Sequence, residues 1–261
     1  MKKKVFHIKV SMRPMANLIF RIECRIKSIF YRPIKDYRNI PVIINNFNRL
    51  DFLVKVLDWL EKAKMRNIYI IDNASTYPPL LEFYRNVCKY PVFYLDKNAK
   101  YLALWVTHIY KYFINDYYVY SDPDIVPIED CPLDVIDYFV KILEKHPEIE
   151  KVGFGLKIDD LTDHYALKQQ VIDYESKYWK VKVDDNLYAA PIDTTFGLYR
   201  PKVKGDWQLK AYRTGYPYLA RHLSWYVNTN ELNEEEKYYI SHTEGKDSKW
   251  YWHLREFFDS I

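Results

Sequence analysis

The chain has 261 residues, of which 49% are hydrophobic, a composition typical of a globular protein and not of a disordered one. Its three cysteines are widely spaced, and its six glycines form neither a GxGxxG nor a Walker motif, which argues against a disulfide framework, a dinucleotide-binding loop and a P-loop. Residues 1–38 contain 11 Lys or Arg and 2 Asp or Glu, whereas the remainder contains 28 and 33. The mildly acidic body argues against a nucleic-acid-binding protein.

Residues 1–38 are predicted to be a basic amphipathic N-terminal extension. Four isoleucines recur at helical spacing, at Ile19, Ile22, Ile26 and Ile29. Charged residues interrupt the segment too often for a transmembrane span, and no signal-peptide core follows. Two interpretations stay open. The helix lies on an anionic membrane surface, so that a cytoplasmic protein sits peripherally at the inner face of a membrane, or the helix packs on protein.

The body begins near residue 39 and alternates strands with helices. Strands are predicted at 42–44, 67–71, 90–95 and 117–120, and helices at about 51–64, 78–88 and 102–113. Asp51 is the expected N-cap of the first helix. This order predicts an α/β fold with a mostly parallel central sheet flanked by helices.

Polar side chains follow each of these strands. Asn45, Asp72 and Asn98 follow the first three, and Asp122 and Asp124 follow the fourth. Because ligands of such sheets bind at the carboxyl ends of the strands, these side chains are expected to form one site.

Asp122-Pro-Asp124 is the candidate metal motif. Pro123 keeps Asp122 extended, and residues two apart in extended chain point to the same side. Paired carboxylates suit Mg²⁺ or Mn²⁺. An Asp-x-Asp alone is more often a solvated turn, so its weight comes from the preceding strands.

The later chain predicts a helix at 133–145, a strand at 151–158, a helical aromatic segment at 162–181 and a strand pair at 187–200. Glu234–Glu236 is expected to be a solvated helix start. The C-terminal residues Trp250, His253, Leu254 and Phe257 share helical spacing and predict a docking helix.

Three segments of residues 40–126 resemble a known family. They are Pro41-Val-Ile-Ile-Asn-Asn-Phe-Asn-Arg49, Ile70-Ile-Asp-Asn-Ala-Ser-Thr76 and Ser121-Asp-Pro-Asp124. In this order they resemble the nucleotide-sugar-binding half of a GT-A type glycosyltransferase, similar to the family 2 group. The sequence departs from that family where Asn98-Ala-Lys100 lacks the glycine that often follows the third strand.

The resemblance implies a GT-A, or nucleotide-diphospho-sugar transferase, Rossmann-like fold over residues 39–261. Residues 39–126 would be the nucleotide-sugar-binding half, and residues 127–261 the acceptor and metal half. The implied activity is metal-dependent transfer from a UDP- or GDP-sugar to a hydroxyl of a glycan or glycolipid acceptor, in surface glycan or glycoconjugate synthesis. Mn²⁺ or Mg²⁺ is the implied cofactor.

The residues expected to bind the nucleotide sugar are Asn45, Asn46, Asn48, Arg49, Asp72, Asn98, Lys100, Ser121 and Asp122. Lys100 is a candidate contact for a phosphate or an acidic sugar. Asp124 is the expected direct metal ligand, with Asp122 in a direct or supporting role. His222 is the candidate third ligand, with His242 as the alternative.

Asp193 is the candidate catalytic base of an inverting reaction, because the acceptor hydroxyl must lose a proton. Family members place a base carboxylate at a similar spacing after the Asp-x-Asp. A turn-capping role for Asp193 is equally compatible with its neighbours. Asp159 and Asp160 are alternates.

A segment rich in arginine and aromatic residues completes the candidate site. Arg213 and Arg221 are expected at the diphosphate or an acidic sugar, or else in surface ion pairs with Glu234–Glu236. Trp225 and Tyr226 are expected at the acceptor, or else in ordinary core packing.

Two other functions are compatible with parts of the sequence. A nucleotidyltransferase also uses an α/β sheet and paired aspartates, but it usually has a glycine-rich loop that Asn45–Arg49 lacks. A non-catalytic carbohydrate- or membrane-binding protein would not need the intact Asp122 and Asp124 pair.

Overall fold

The computed structural model describes residues 5–8, 22, 26, 34–192, 196–205 and 209–243. Its strands are β1 (Val5–Ile8), β2 (Val42–Asn46), β3 (Ile68–Asp72), β4 (Val92–Leu95), β5 (Tyr118–Ser121), β6 (Ile125–Pro127), β7 (Lys151–Leu156), β8 (Lys182–Asp184), β9 (Leu187–Ala189), β10 (Gly197–Tyr199) and β11 (Ala211–His222). Its helices are α1 (Asp51–Lys62), α2 (Pro78–Asn86), α3 (Ala103–Val106), α4 (Val135–Lys145), α5 (Lys168–Glu175) and α6 (Glu234–His242).

All described strands belong to one sheet, in the order β1-β4-β3-β2-β5-β10-β7-β11-β9-β8, with β6 paired to β11. The five strands from β1 to β5 are mutually parallel, which confirms a parallel sheet for this half. β10 then runs antiparallel between β5 and β7, and β11 is parallel to β7 but antiparallel to β6 and β9. The whole sheet is therefore mixed, with parallel strands from β1 to β5 and both parallel and antiparallel pairings beyond β5.

Each face of the sheet is covered by its own apolar core. On one face α1, α2, α4 and α5 pack against side chains such as Val42, Val119 and Phe154. On the other face α3 and the adjacent 3-10 turns cover Ile43, Phe93 and the ring of Tyr120. The predicted apolar face of α1 is buried, as expected for a crossover helix that packs on a parallel sheet.

Residues 5–8 lie in the segment that the sequence assigns to an extension, yet they form the edge strand β1. Val5–Ile8 pairs in parallel with β4, and Phe6 stacks on Phe93 with ring centroids 4.8 Å apart. Ile22 and Ile26 are helical and are 47% and 52% exposed. The rest of the predicted helix lies outside the described residues. In the part of the chain that the structure describes, no helix is long and apolar enough to cross a membrane.

Several predicted elements differ from the structure. The helix expected at 102–113 is divided into α3 and a 3-10 turn, with His108 between them at φ 62°. The helical segment expected at 162–181 is reduced to α5 and a 3-10 turn. The long strand β11 was not predicted, and the C-terminal docking helix lies outside the described residues.

Candidate active site

The carboxyl ends of β2, β3 and β5 bring the predicted polar residues to one edge of the sheet. Asn46 and Asp72 end two neighbouring parallel strands and are register partners. β5 lies on the other side of β2 and ends at Ser121, immediately before Asp122. Parallel pairing therefore places the three predicted strand-end sites side by side.

Two of the predicted asparagines organise the loops themselves. Asn46 is fully buried and donates through Nδ2 to the carbonyl of Arg49 and to the hydroxyl of Tyr84, each at 2.8 Å. Asn48 adopts φ 52°, and its Oδ1 accepts from the backbone N–H groups of Thr76 and Tyr77. Asn48 thus satisfies backbone donors just before α2, which has no capping side chain of its own.

Asp72 is a buried carboxyl with an unusual protonation equilibrium. Burial raises its pKa to about 6, although hydrogen bonds from Ser75 and Tyr84 oppose the shift. Its Oδ2 accepts from the backbone N–H of Ser75 at 3.3 Å. Its Oδ1 is buried and has no hydrogen-bond partner among the described residues.

Lys100 takes the backbone conformation that a glycine would favour. Its φ is 58°, and its carbonyl accepts from Asn45 Nδ2 at 3.1 Å and from Asn73 Nδ2 at 3.0 Å. Asn73 Oδ1 in turn accepts from the backbone N–H of Ala99, and Asn98 Oδ1 accepts from that of Lys100. These bonds offset the cost of a left-handed lysine at this turn.

The Asp-x-Asp segment lies between β5 and β6. Ser121 is fully buried and donates to the backbone carbonyl of Asp122 at 2.8 Å. Asp122 is half-buried, whereas Asp124 is 9% exposed. The carboxylate of Asp124 accepts a hydrogen bond from Ser224 Oγ, and its Oδ1 is buried without a hydrogen-bond partner among the described residues.

β11 brings His222 to Asp124. His222 pairs with Ile125, the residue after Asp124, and its Nε2 lies 3.4 Å from Asp124 Oδ2. His242 is exposed on α6, where its ring stacks on Tyr238 at 3.9 Å between centroids. Of the two candidate histidines, His222 is the one with a described contact to Asp124.

Asp124 and His222 fit part of a divalent-cation site. A buried carboxylate oxygen without a partner and an adjacent imidazole are suitable Mn²⁺ donors. Within the described ranges, no group of three or more His, Cys, Asp or Glu side chains is placed to hold a metal ion. Mg²⁺ sites commonly use one or two carboxylates together with substrate phosphates, so an ion held here would need further ligands from a bound substrate.

Arg49 and α6 form a buried cluster beside this site. Arg49 Nη1 lies 2.7 Å from Glu236 Oε1, with both side chains less than 5% exposed, and its guanidinium lies over the ring of Tyr239 at 3.7 Å. Glu235 is also buried and accepts from the backbone N–H groups of Leu50 and Asp51.

Two predictions about these acidic residues were wrong. Glu235 and Glu236 are buried, although the run Glu234–Glu236 was expected to be solvated. Asp51 makes no side-chain capping bond at the start of α1, where Glu235 supplies the acceptor instead.

Arg221 is engaged by carboxylates of this chain. Its guanidinium contacts Asp160 at 2.8 Å and Glu129 at 2.7 Å, and Tyr226 donates to Asp160 at 2.6 Å. Burial raises the pKa of Asp160, but hydrogen bonds from Tyr226 and Arg221 outweigh it and lower the pKa overall, which makes Asp160 a weak base. Trp225 is buried against His222, with ring centroids 4.4 Å apart.

Arg213 lies in a second buried ion pair, with Glu175 at 2.8 Å, and its Nε donates to the carbonyl of Pro191. The fully buried Lys151 donates to the next carbonyl, that of Ile192. Surface pairing of Arg213 and Arg221 with Glu234–Glu236 was therefore the wrong alternative, because both arginines have other carboxylate partners.

Asp193 lies outside the described residues, but the chain on both sides of it is placed. Ile192 and Phe196 are fully buried, and Gly197 pairs with Tyr120 of β5 and with Gly153 of β7. Tyr120 is two residues before Asp122, so β10 enters the sheet beside the strand that leads into the Asp-x-Asp segment.

Sequence reasoning missed five residues that shape this region, namely Asn73, Tyr84, Ser224, Glu235 and Glu236. Only Asn73 had a usable signal, because it follows Asp72 at a strand end. The others lie far along the chain from the residues they contact, and their contacts follow from tertiary packing.

No protein-family model matches the chain, and no curated protein matches it. Among solved structures, a similarity is found to HddC from Yersinia pseudotuberculosis complexed with GMP-PN. The TM-score is 0.34 and the sequence identity is 14%, over 67% of this chain and 73% of that chain. A similarity this low carries no argument about function.

Proposed function

We propose that the protein is a metal-dependent glycosyltransferase of the GT-A type that transfers a sugar from a nucleoside-diphosphate sugar to an acceptor hydroxyl. One observation carries the proposal: the Asp-x-Asp segment follows the parallel strand β5, and its buried Asp124 lies beside His222 of β11. The neighbouring strand ends supply the buried Asp72 and Asn45. Nucleotide-sugar recognition and metal binding are thereby assigned to adjacent positions on one edge.

The proposed roles follow from the chemistry of the site. Asp124 and His222, with Asp122, would hold Mn²⁺ or Mg²⁺, and the bound ion would stabilise the negative charge of the diphosphate leaving group. Asp72 would accept a hydrogen bond from the nucleobase through Oδ1, the oxygen that has no described partner. Lys100 is exposed at the same edge and is proposed to contact a phosphate or an acidic sugar.

Asp193 is proposed to accept the proton of the acceptor hydroxyl, which gives inversion at the anomeric carbon. What supports this role is the placement of its neighbours. Gly197, four residues after Asp193, pairs with Tyr120 of β5 and with Gly153 of β7, and Tyr120 is two residues before Asp122. Asp160 is the weaker candidate, because Arg221 and Tyr226 already occupy its oxygens.

The N-terminus of α1 argues against a nucleotidyltransferase that binds phosphate at the turn between β2 and α1. A helix N-terminus with free N–H groups is a ready anion site. Here the carboxylate of Glu235 accepts from Leu50 at 2.9 Å and from Asp51 at 3.1 Å. A diphosphate bound at this turn would have to displace a buried anion, which favours diphosphate binding at the Asp-x-Asp edge.

Product analysis tests the proposed reaction directly. The purified protein is incubated with Mn²⁺, a panel of UDP- and GDP-sugars and candidate glycan acceptors, and the anomer of the product is assigned by NMR. We expect transfer with inversion. Asp193→Asn should abolish transfer and leave donor binding unchanged. Retained transfer in that variant would remove Asp193 from its proposed role, and release of diphosphate from a nucleoside triphosphate would instead support a nucleotidyltransferase.

A further inference from the structure

Arg49 is held by α6 in a manner unusual for a substrate ligand. Its guanidinium is buried between the carboxylate of Glu236 and the ring of Tyr239, and it also lies 5.0 Å from the centroid of Phe52. An arginine that binds phosphate normally presents its planar donors to the ligand. Here at least one face and one edge of the guanidinium are already covered by protein.

Glu235, the residue before Glu236 on α6, holds the same loop by a second interaction. Glu235 accepts from the backbone N–H groups of Leu50 and Asp51, the first donors of α1. Glu235 is 185 residues away from Leu50 in the sequence, so this contact joins distant parts of the chain. Carboxylates are stabilising at a helix N-terminus because of the helix dipole.

A third set of contacts joins α6 to the loop after β3. The hydroxyl of Tyr238 donates to Thr76 Oγ1 at 3.1 Å, and the rings of Tyr238 and Tyr77 lie 4.9 Å apart. Asn48 binds the same loop through the backbone N–H groups of Thr76 and Tyr77. α6 therefore contacts two of the loops that carry proposed nucleotide-sugar residues, those after β2 and β3.

We infer that Glu235 and Glu236 are positioning residues for the donor site. Arg49 is the partner through which Glu236 holds the loop after β2, and it does not itself contact the donor. The inference rests on the proposed function, because it assigns the loops after β2 and β3 to the nucleotide sugar. Arg49 and Glu236 fix the end of the loop after β2, and Glu235 fixes the first turn of α1. The affinity of the donor half for its nucleotide is then set by a helix of the acceptor half.

The direction in which Glu236→Gln changes nucleotide affinity distinguishes a positioning role of Glu236 from direct binding of the diphosphate by Arg49. If Arg49 bound the diphosphate, Glu236 would compete for the guanidinium, and Glu236→Gln would leave nucleotide affinity unchanged or increase it. If Glu236 positions the loop, Glu236→Gln removes the ion pair that holds the buried Arg49, the loop moves, and affinity falls. Glu234 provides a matched control, because it lies on the same helix with its side chain 87% exposed.

The experiment measures the Kd of UDP and GDP with Mn²⁺ by calorimetry on the full chain. We expect Glu236→Gln to weaken binding by about tenfold or more, Glu235→Gln to weaken it less, and Glu234→Gln to leave it unchanged. Arg49→Lys should also bind weakly, because a lysine lacks the planar fork that pairs with Glu236 and stacks on Tyr239. Unchanged or tighter binding by Glu236→Gln would overturn the inference.

Amide hydrogen exchange separates failure of this inference from failure of the proposed function. We expect faster exchange at residues 47–53 in Glu236→Gln and Glu235→Gln than in Glu234→Gln, whether or not a nucleotide binds. Unchanged exchange there would overturn the positioning role. If the wild type binds neither nucleoside diphosphate, the proposed function fails, and the exchange result still decides the role of α6 in holding the loop.

Discussion

The predicted site residues divide into two groups: those that lie at strand ends, and arginines that form ion pairs within the chain. Asn45, Asp72 and Asp124 lie at the strand ends where the order of the elements placed them. The edge of a parallel sheet follows from hydrophobic periodicity alone, which is why sequence reasoning located these positions.

The arginines show the limit of that reasoning. Arg49, Arg213 and Arg221 were candidate ligands of a diphosphate or sugar, and each forms an ion pair within the chain. Their carboxylate partners lie between 38 and 187 residues away, so no local pattern identifies them. A buried arginine must be paired because an isolated buried charge is strongly unfavourable.

Asp72 gives a prediction about pH and stability. Its pKa is raised by burial from 3.8 to about 6, so the folded state binds its proton more tightly than the unfolded state. This stabilisation is fully present below about pH 4 and is lost as the pH rises through 6. A shift of this size corresponds to about 3 kcal/mol at most.

We therefore expect the free energy of unfolding of the wild type, measured by urea titration, to decline between pH 4 and 6 relative to that of Asp72→Asn. Asp58→Asn, which changes an exposed carboxylate on α1, should follow the wild type. The same pH dependence in all three proteins would contradict the burial of Asp72 as a costly anion.

Most strands and helices up to β7 were predictable to within a few residues, including α4 and β7, whereas the helix expected at 102–113 was divided and β11 was missed. α1, α2 and β2 to β5 have clear periodicity and turn signals. β11 contains three Tyr and two Arg among its 12 residues and has a register shift between Thr214 and Leu219, so no alternating apolar pattern marks it. Its role as the strand that carries His222 to Asp124 appears only in three dimensions.

Gly153 in β7 tests the close approach of β7 to the backbone at Phe196 and Gly197. A Cβ at this position would lie 2.4 Å from the backbone carbonyl oxygen of Phe196, the residue directly before Gly197, which pairs with Gly153. We expect Gly153→Ala to lower the free energy of unfolding by about 1–3 kcal/mol.

The milder comparison is Gly215→Ala, whose Cβ would be 3.2 Å from a ring carbon of Tyr188 and would require only a small shift. Chemical denaturation of both variants measures whether Gly153→Ala lowers the free energy of unfolding more than Gly215→Ala does. Equal losses would show that the backbone crossing at Gly153 has more room than the structure indicates.

At the scale of the molecule, the two halves are bound together more closely than a division near residue 126 suggests. β10 inserts between β5 and β7, and α6 packs on the loops after β2 and β3. The N-terminal segment also contributes an edge strand to the sheet. Long-range pairings of this kind are set by burial of whole faces, which sequence periodicity does not reveal.

The edge strand changes how the membrane hypothesis is tested. Deletion of residues 1–36 would remove β1 together with the basic segment, so we expect charge neutralisation to be the cleaner variant. Replacement of Arg21, Arg25, Lys27 and Arg32 by Gln should abolish salt-sensitive cosedimentation of the protein with anionic vesicles. Binding equal to that of the wild type would instead favour packing of this segment on protein.

The central claim is that Asp124 binds a metal which in turn binds a nucleoside diphosphate, and thermal unfolding tests it most directly. We expect UDP or GDP to raise the Tm of the wild type only when Mn²⁺ is present, since both must bind the folded state to stabilise it. Asp124→Asn should lose this response, whereas Asp163→Asn, at a carboxylate with 93% side-chain exposure, should keep it. A Tm unaffected by every nucleotide and metal combination, or a full response in Asp124→Asn, would contradict the account.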